Sequence, residues 1–136
     1  MEIEDRIRKA NLKVTRTRSE ILALFVEKDY ALSYADIDAS LKGSEDKVTI
    51  YRTLKSFSEK GIIHEIMDVD KVSKYALCGH KCSSEHHHDT HAHFKCLKCK
   101  HIFCLQKPKI EIEIPANYQA TTFNLSIEGL CNNCSN

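Results

Sequence analysis

The chain has 136 residues, of which 42% are hydrophobic and 29% charged, with a formal net charge of +1. That length suits one ordinary domain or two small ones, and the apolar share argues against a disordered chain. No apolar run approaches the ~20 residues needed to cross a bilayer. Residues 1–8 are charged where a secretory signal needs an apolar centre, so a cytosolic protein with no membrane partner is expected.

Net charge gives no argument for a nucleic-acid partner. Lys plus Arg and Asp plus Glu stand at 14 and 14 over residues 1–77, and at 6 and 5 over 78–136. The local distribution says more. Between Arg6 and Arg18 lie Arg6, Arg8, Lys9, Lys13, Arg16 and Arg18 with no acidic residue among them. Such a run is either a basic contact surface or a solvated helix face.

The first half reads as helices followed by a hairpin. Residues 4–12 are a short charged helix candidate. Thr17 or Ser19 can cap a second helix with Ile21, Leu22, Phe25 and Val26 at helical spacing. Ser33 with Asp36 resembles a capping box opening a third helix, which would bury Ile37 and Leu41 and stop at Gly43. Ser44 or Asp46 caps a fourth, roughly 46–60, ending at Gly61. Its apolar stripe would be Val48, Ile50, Leu54 and Phe57, with Thr49, Arg52, Thr53 and Ser56 opposite. Residues 62–67 and 72–77 are β-prone runs around a short turn. Three helices and a β-hairpin outline a winged helix-turn-helix.

Residues 78–90 are polar and irregular and read as a His/Cys-rich hinge loop carrying Cys78, His80, Cys82, His86, His87 and His88. Residues 92–96 and 101–105 resemble two strands joined at Cys96-Leu97-Lys98-Cys99. Between Pro108 and Pro115, Ile110, Ile112 and Ile114 alternate with charged residues as in a half-buried strand. Residues 120–127 resemble a last strand before Gly129 and Cys131-Asn132-Asn133-Cys134. The expected division is 1–77 for the winged helix, 78–90 for the hinge and 91–136 for a zinc-binding dimerisation domain, an α+β protein as a whole.

All seven Cys and all eight His fall at or after position 64. An odd cysteine count cannot pair fully within one chain, and Cys-x-x-Cys spacing reads as metal ligation. Cys96, Cys99, Cys131 and Cys134 form two such turns, and together they supply the four thiolates of a closed structural Zn²⁺ site. A redox dithiol would account for one Cys-x-x-Cys, not two. A second constellation is mixed. His91 and His93 would point the same way on a strand. Cys78 ends the second hairpin strand, His64 lies on the first, and Cys104 follows the knuckle. A metal held by these five would join the two halves; alternatively, His64 is an ordinary hairpin residue.

The run Val48-Thr49-Ile50-Tyr51-Arg52-Thr53-Leu54 resembles the recognition-helix signature of the ferric uptake regulator family. Lys13-Val14-Thr15 with Arg18, Ile21 and Leu22 resembles its N-terminal signature. His91-x-His93-x-x-Cys96-x-x-Cys99 and Gly129-x-Cys131-x-x-Cys134 resemble its C-terminal ones, in the family's order. The resemblance implies a homodimer with an N-terminal winged helix and a C-terminal α/β dimerisation domain. It also implies metal-dependent repression at palindromic operator DNA, with Tyr51 and Arg52 facing the major groove and Lys13 reaching toward the minor groove; Arg18 and Thr49 lie in the same motifs.

Departures from the family pattern point to its zinc-sensing branch. The His that iron and peroxide sensors carry before the third helix is missing from Tyr30-Ala31-Leu32-Ser33. Tyr75-Ala76-Leu77-Cys78 resembles the zinc sensors' wing ending, and Cys104 replaces a carboxylate. These softer ligands favour Zn²⁺ at the regulatory site, with Fe²⁺ or Mn²⁺ as the alternative. The additional His/Asp site of the family is broken at Thr90, Ala92 and Phe123. The segment between the prolines is shorter than the family's helix there. A zinc enzyme such as a nucleobase deaminase is disfavoured, because His64 is followed directly by Glu65 and no Pro precedes either knuckle. A zinc storage protein would leave the Tyr51-Arg52 helix without a purpose.

Overall fold

In the computed structural model the described residues are 3–67, 71–77, 92–105, 112–121 and 125–135. The expectations for Cys78, His80, Cys82, His86, His87, His88, Thr90, His91, Ile110 and Phe123 lie outside them. The chain divides into two compact units, Met1–His87 and His88–Asn136. The fold is α+β, as expected.

The first unit runs α1 (Ile3–Lys9), α2 (Arg16–Glu27), β1 (Leu32–Ser33), α3 (Tyr34–Leu41), α4 (Lys47–Glu59), β2 (Ile63–Met67) and β3 (Ser73–Leu77). Helix α1 stops sooner than the charged run suggests, because Asn11 turns left-handed at φ 60°. Asn11 N–H then donates to the Arg8 carbonyl at 2.9 Å and Leu12 N–H to the Ile7 carbonyl at 3.1 Å, closing the helix end. Helix α2 is capped by Thr15 rather than Thr17 or Ser19. Thr15 Oγ1 accepts from Arg18 N–H at 3.2 Å, while Thr17 Oγ1 donates instead to Glu45 at 2.7 Å. Ser33 and Asp36 form the full reciprocal capping box. Helix α3 ends before Gly43, since Lys42 takes the left-handed position itself at φ 55°. Asp46 caps α4, and Gly61, at φ 74°, ends it.

Ile7, Ile21, Leu22, Phe25, Leu32, Ile37, Ile50, Leu54, Phe57, Ile63 and Tyr75 form one apolar core. The buried face of α4 is Ile50, Thr53, Leu54 and Phe57. Val48 is 55% exposed. It lies two residues, about 200°, from Ile50, so it belongs to the opposite side. Thr53, expected on the polar face, fits the interior by donating its hydroxyl to the Thr49 carbonyl at 2.9 Å. Val26 likewise faces out. The sheet order is β1-β3-β2, all antiparallel. Strand β1 is too short for periodicity to reveal.

In the second unit, β4 (Ala92–Cys96), β5 (Ile102–Leu105) and β6 (Ser126–Gly129) form a sheet in the order β5-β4-β6. β4 and β5 are antiparallel, and β4 and β6 parallel. The last strand therefore begins later than expected and runs to Gly129. Residues 112–114 are not a strand; Ile112 and Ile114 are 53% and 47% exposed. Alternation alone does not make a strand where no neighbouring strand accepts its hydrogen bonds. Among the described residues no helix is long and apolar enough to cross a membrane.

Candidate metal centre and nucleic-acid interface

Parallel pairing of β4 with β6 sets Cys96 opposite Gly129. Both strands then stop at the same end of the sheet, so the two Cys-x-x-Cys knuckles meet. Leu97 N–H locks them by donating to the Gly129 carbonyl at 2.7 Å. Gly129 has little room for a side chain, since a Cβ there would lie 3.2 Å from the Phe94 ring. The first knuckle turns back through Lys100 at φ 67°, whose N–H donates to the Cys96 carbonyl at 2.9 Å. The second closes through Cys134 N–H and Ser135 N–H, both donating to the Cys131 carbonyl.

The sulfurs of Cys96, Cys99, Cys131 and Cys134 all lie within 4.8 Å of one another. Cys99 and Cys131 Sγ are 3.9 Å apart, against ~3.8 Å between sulfurs on a tetrahedral Zn²⁺ with ~2.3 Å bonds. None of the four is in a disulfide. The Cys96 sulfur accepts N–H groups from Cys99 and Cys131, each at 3.4 Å. The Cys99 N–H bond leads in holding the Cys96 thiol down to about 5, against its burial, with Cys131 N–H adding to it. Cys134 is pushed up to about 12, first by its hydrogen bond with the Cys131 side chain and then by burial. At Cys99 a backbone bond from His101 favours the thiolate, but burial and the adjoining Cys96 and Cys131 thiols outweigh it and the net shift is upward. Without a cation, thiolates this close repel, which disfavours ionising Cys99 and Cys134 beside the Cys96 sulfur. A divalent cation removes that repulsion, and these residues could hold one.

Of the mixed constellation, the second unit brings two residues together. His93 on β4 and Cys104 on β5 are direct cross-strand partners, their ligand atoms within 4.8 Å. In the first unit His64 is buried on β2, opposite Ala76 on β3.

The basic run of the first unit is partly spent on neighbours. Arg8 pairs with Glu4 and Asp5, and Arg16 with Glu20, all on helix surfaces. Those residues follow the solvated-face reading. Lys13 remains exposed, and Arg18 donates from Nη1 to the Lys13 carbonyl at 2.6 Å, bracing the turn that presents it. On α4, Thr49 is half-buried with its N–H on the Asp46 carboxylate at 2.8 Å, while Tyr51 and Arg52 are exposed. Periodicity gave no hint of a further contact: the Tyr51 ring stacks on Tyr34 of α3, centroids 4.9 Å apart and 6° from parallel.

The model of the ferric uptake regulator family matches residues 9–129. The chain belongs to that family of metal-responsive transcription regulators. It is 30% identical over 134 residues to the ferric uptake regulation protein of Escherichia coli strain K12, covering 92% of this chain and 85% of that one. An iron-bound ferric uptake regulator from Francisella tularensis superposes with a TM-score of 0.59 at 31% identity, covering 92% and 96%. A zinc uptake regulator solved with zinc and DNA superposes at 0.63 with 21% identity, covering 97% and 89%, a likeness of fold.

Proposed function

We propose that this member of the family is a zinc-responsive repressor that binds palindromic operator DNA as a homodimer and controls metal-uptake genes. The pairing of His93 with Cys104 on adjacent strands carries the zinc reading. Nitrogen and sulfur donors suit Zn²⁺, whereas a carboxylate at Cys104 would suit Fe²⁺ or Mn²⁺. In this reading Cys96, Cys99, Cys131 and Cys134 hold a structural Zn²⁺, and the regulatory ion draws its ligands from His64, Cys78, His91, His93 and Cys104. The regulatory ligands come from 1–77 (His64), from the 78–90 hinge (Cys78) and from 91–136 (His91, His93 and Cys104), so occupancy would bias how the two winged helices of a dimer span one operator. Zinc acts only through its tighter binding to that conformer. Lys13, Arg18, Thr49, Tyr51 and Arg52 form the DNA-facing set.

The second reading, an Fe²⁺-responsive repressor, is favoured by the likeness to the iron-bound Francisella regulator. Operator binding measured against free Zn²⁺, Fe²⁺ and Mn²⁺ separates the two. Zinc should act at the lowest free concentration. Cys78→Ser should leave the four-cysteine site filled but raise the zinc requirement by more than the ~10–100-fold that loss of an outer-shell partner costs. Superimposable zinc curves for the two proteins would remove Cys78 from the site, and activation by Fe²⁺ at lower free metal would install the iron reading.

A further inference from the structure

Resting on that reading of α4 as the operator-facing helix, we propose that Tyr34 is a positioning residue for DNA recognition. Tyr51 sits one turn into α4 and is 41% exposed. Exposed aromatic rings ordinarily hop between rotamers on a ps–ns scale. An open cleft of about 330 Å³, walled in part by Tyr34, Tyr51, Ser73 and Tyr75, lies beside the ring. A Tyr51 free to rotate could fall into that cleft and withdraw its edge from DNA.

Tyr34 stops this. It is the first residue of α3, immediately after the Ser33 cap. The capping box fixes the start of α3, and β1 ties Leu32 and Ser33 to Tyr75 and Lys74 of β3. The Tyr34 ring therefore stands on an anchored backbone, parallel to Tyr51 at 4.9 Å. Lys47 Nζ is 5.9 Å from both ring centroids. It lies over both rings near the outer limit of cation–π reach, so its charge favours the stacked arrangement while remaining available to a phosphate. Tyr34 thus does before binding what DNA would otherwise have to do on binding, and spares the complex the entropy of fixing the Tyr51 ring.

Operator affinity at saturating zinc, for wild type, Tyr34→Phe, Tyr34→Ala, Tyr51→Ala and the double variant Tyr34→Ala/Tyr51→Ala, tests this. Tyr34→Ala should weaken operator binding about 3–10-fold, the size of a lost aromatic pair. Tyr34→Phe keeps the stack and should bind as wild type. In the double variant the Tyr34 change should add nothing to Tyr51→Ala, because nothing is left to position. Thermal unfolding of Tyr34→Ala followed in parallel excludes simple loss of fold. Full affinity in Tyr34→Ala, or additive losses in the double variant, would overturn the proposal. If Tyr51→Ala itself binds operator normally, the assignment of α4 as the reading helix fails instead.

Discussion

Eleven apolar side chains close the interior of the first unit, whereas among the described residues the second unit buries only Ile102 and two of its own candidate metal ligands, Cys96 and Cys131. Each fully buried Leu, Ile or Phe contributes about 1.5–3 kcal/mol, so a core of that size can offset the ordering of the first unit. The described part of the second unit offers much less apolar burial to offset its ordering. Its cysteines occupy the positions that a larger domain would give to Leu or Ile. The first unit is held by water-driven burial, whereas the second brings four thiols to one point where metal–thiolate bonds could take over that work.

The largest test removes the metal. Strong chelation, or Cys96→Ser, should unfold the second unit, since structural Zn²⁺ contributes on the order of 10 kcal/mol to small domains of this kind. The first unit should keep its helical circular dichroism. Acid should act in the same direction. Cys134 and Cys99 have thiols raised above their usual range and must lose protons to bind metal, so protons compete and apparent zinc affinity falls as pH falls. Cys96, held to about 5, is protonated at lower pH than either of these two. Helical signal lost together with the metal would erase the distinction between the units. The converse change is Phe57→Ala, in the centre of the apolar core at 0% exposure. It should cost the first unit about 3–5 kcal/mol while four-thiolate zinc content, read by a thiol-reactive dye before and after denaturation, stays unchanged.

Much of this contrast was legible in the residues. Two Cys-x-x-Cys turns carry their own geometry, and the capping signals at Ser33 and Asp46 are local, so both could be read without the fold. Four departures share one cause. Val48 and Val26 are apolar and fit helical stripes, yet the neighbour that closes each face is set by tertiary packing. Thr53 is polar, though a hydroxyl bonded to a carbonyl one turn back can enter a core. The Ile112–Ile114 alternation misled for the same reason, as a strand needs a partner that sequence does not name. The short β1 and the Tyr34–Tyr51 stack depend on pairings far apart in the chain, and no local pattern announces them.

The smallest effect sharpens the comparison most finely. Ser33 joins two elements of the first unit: its hydroxyl accepts the Asp36 N–H at 3.2 Å and its own N–H donates to the Asp36 carboxylate at 2.9 Å. It also pairs with Lys74 across the sheet through its backbone. Ser33→Ala keeps the backbone bonds and removes the acceptor, leaving one N–H of the α3 first turn unsatisfied next to the core. The cost should be about 1 kcal/mol, the usual worth of an N-cap, which lowers the melting temperature of a unit this size by roughly 4–8 °C. Because Ser33 belongs to the apolar-cored unit, the shift should be the same with and without zinc in the four-cysteine site. Thermal melts followed at a helix signal, with the site loaded and stripped, measure this. A shift that appears only in the loaded protein would mean that the metal's stabilisation reaches α3, and the two units would have to be treated as one cooperative body.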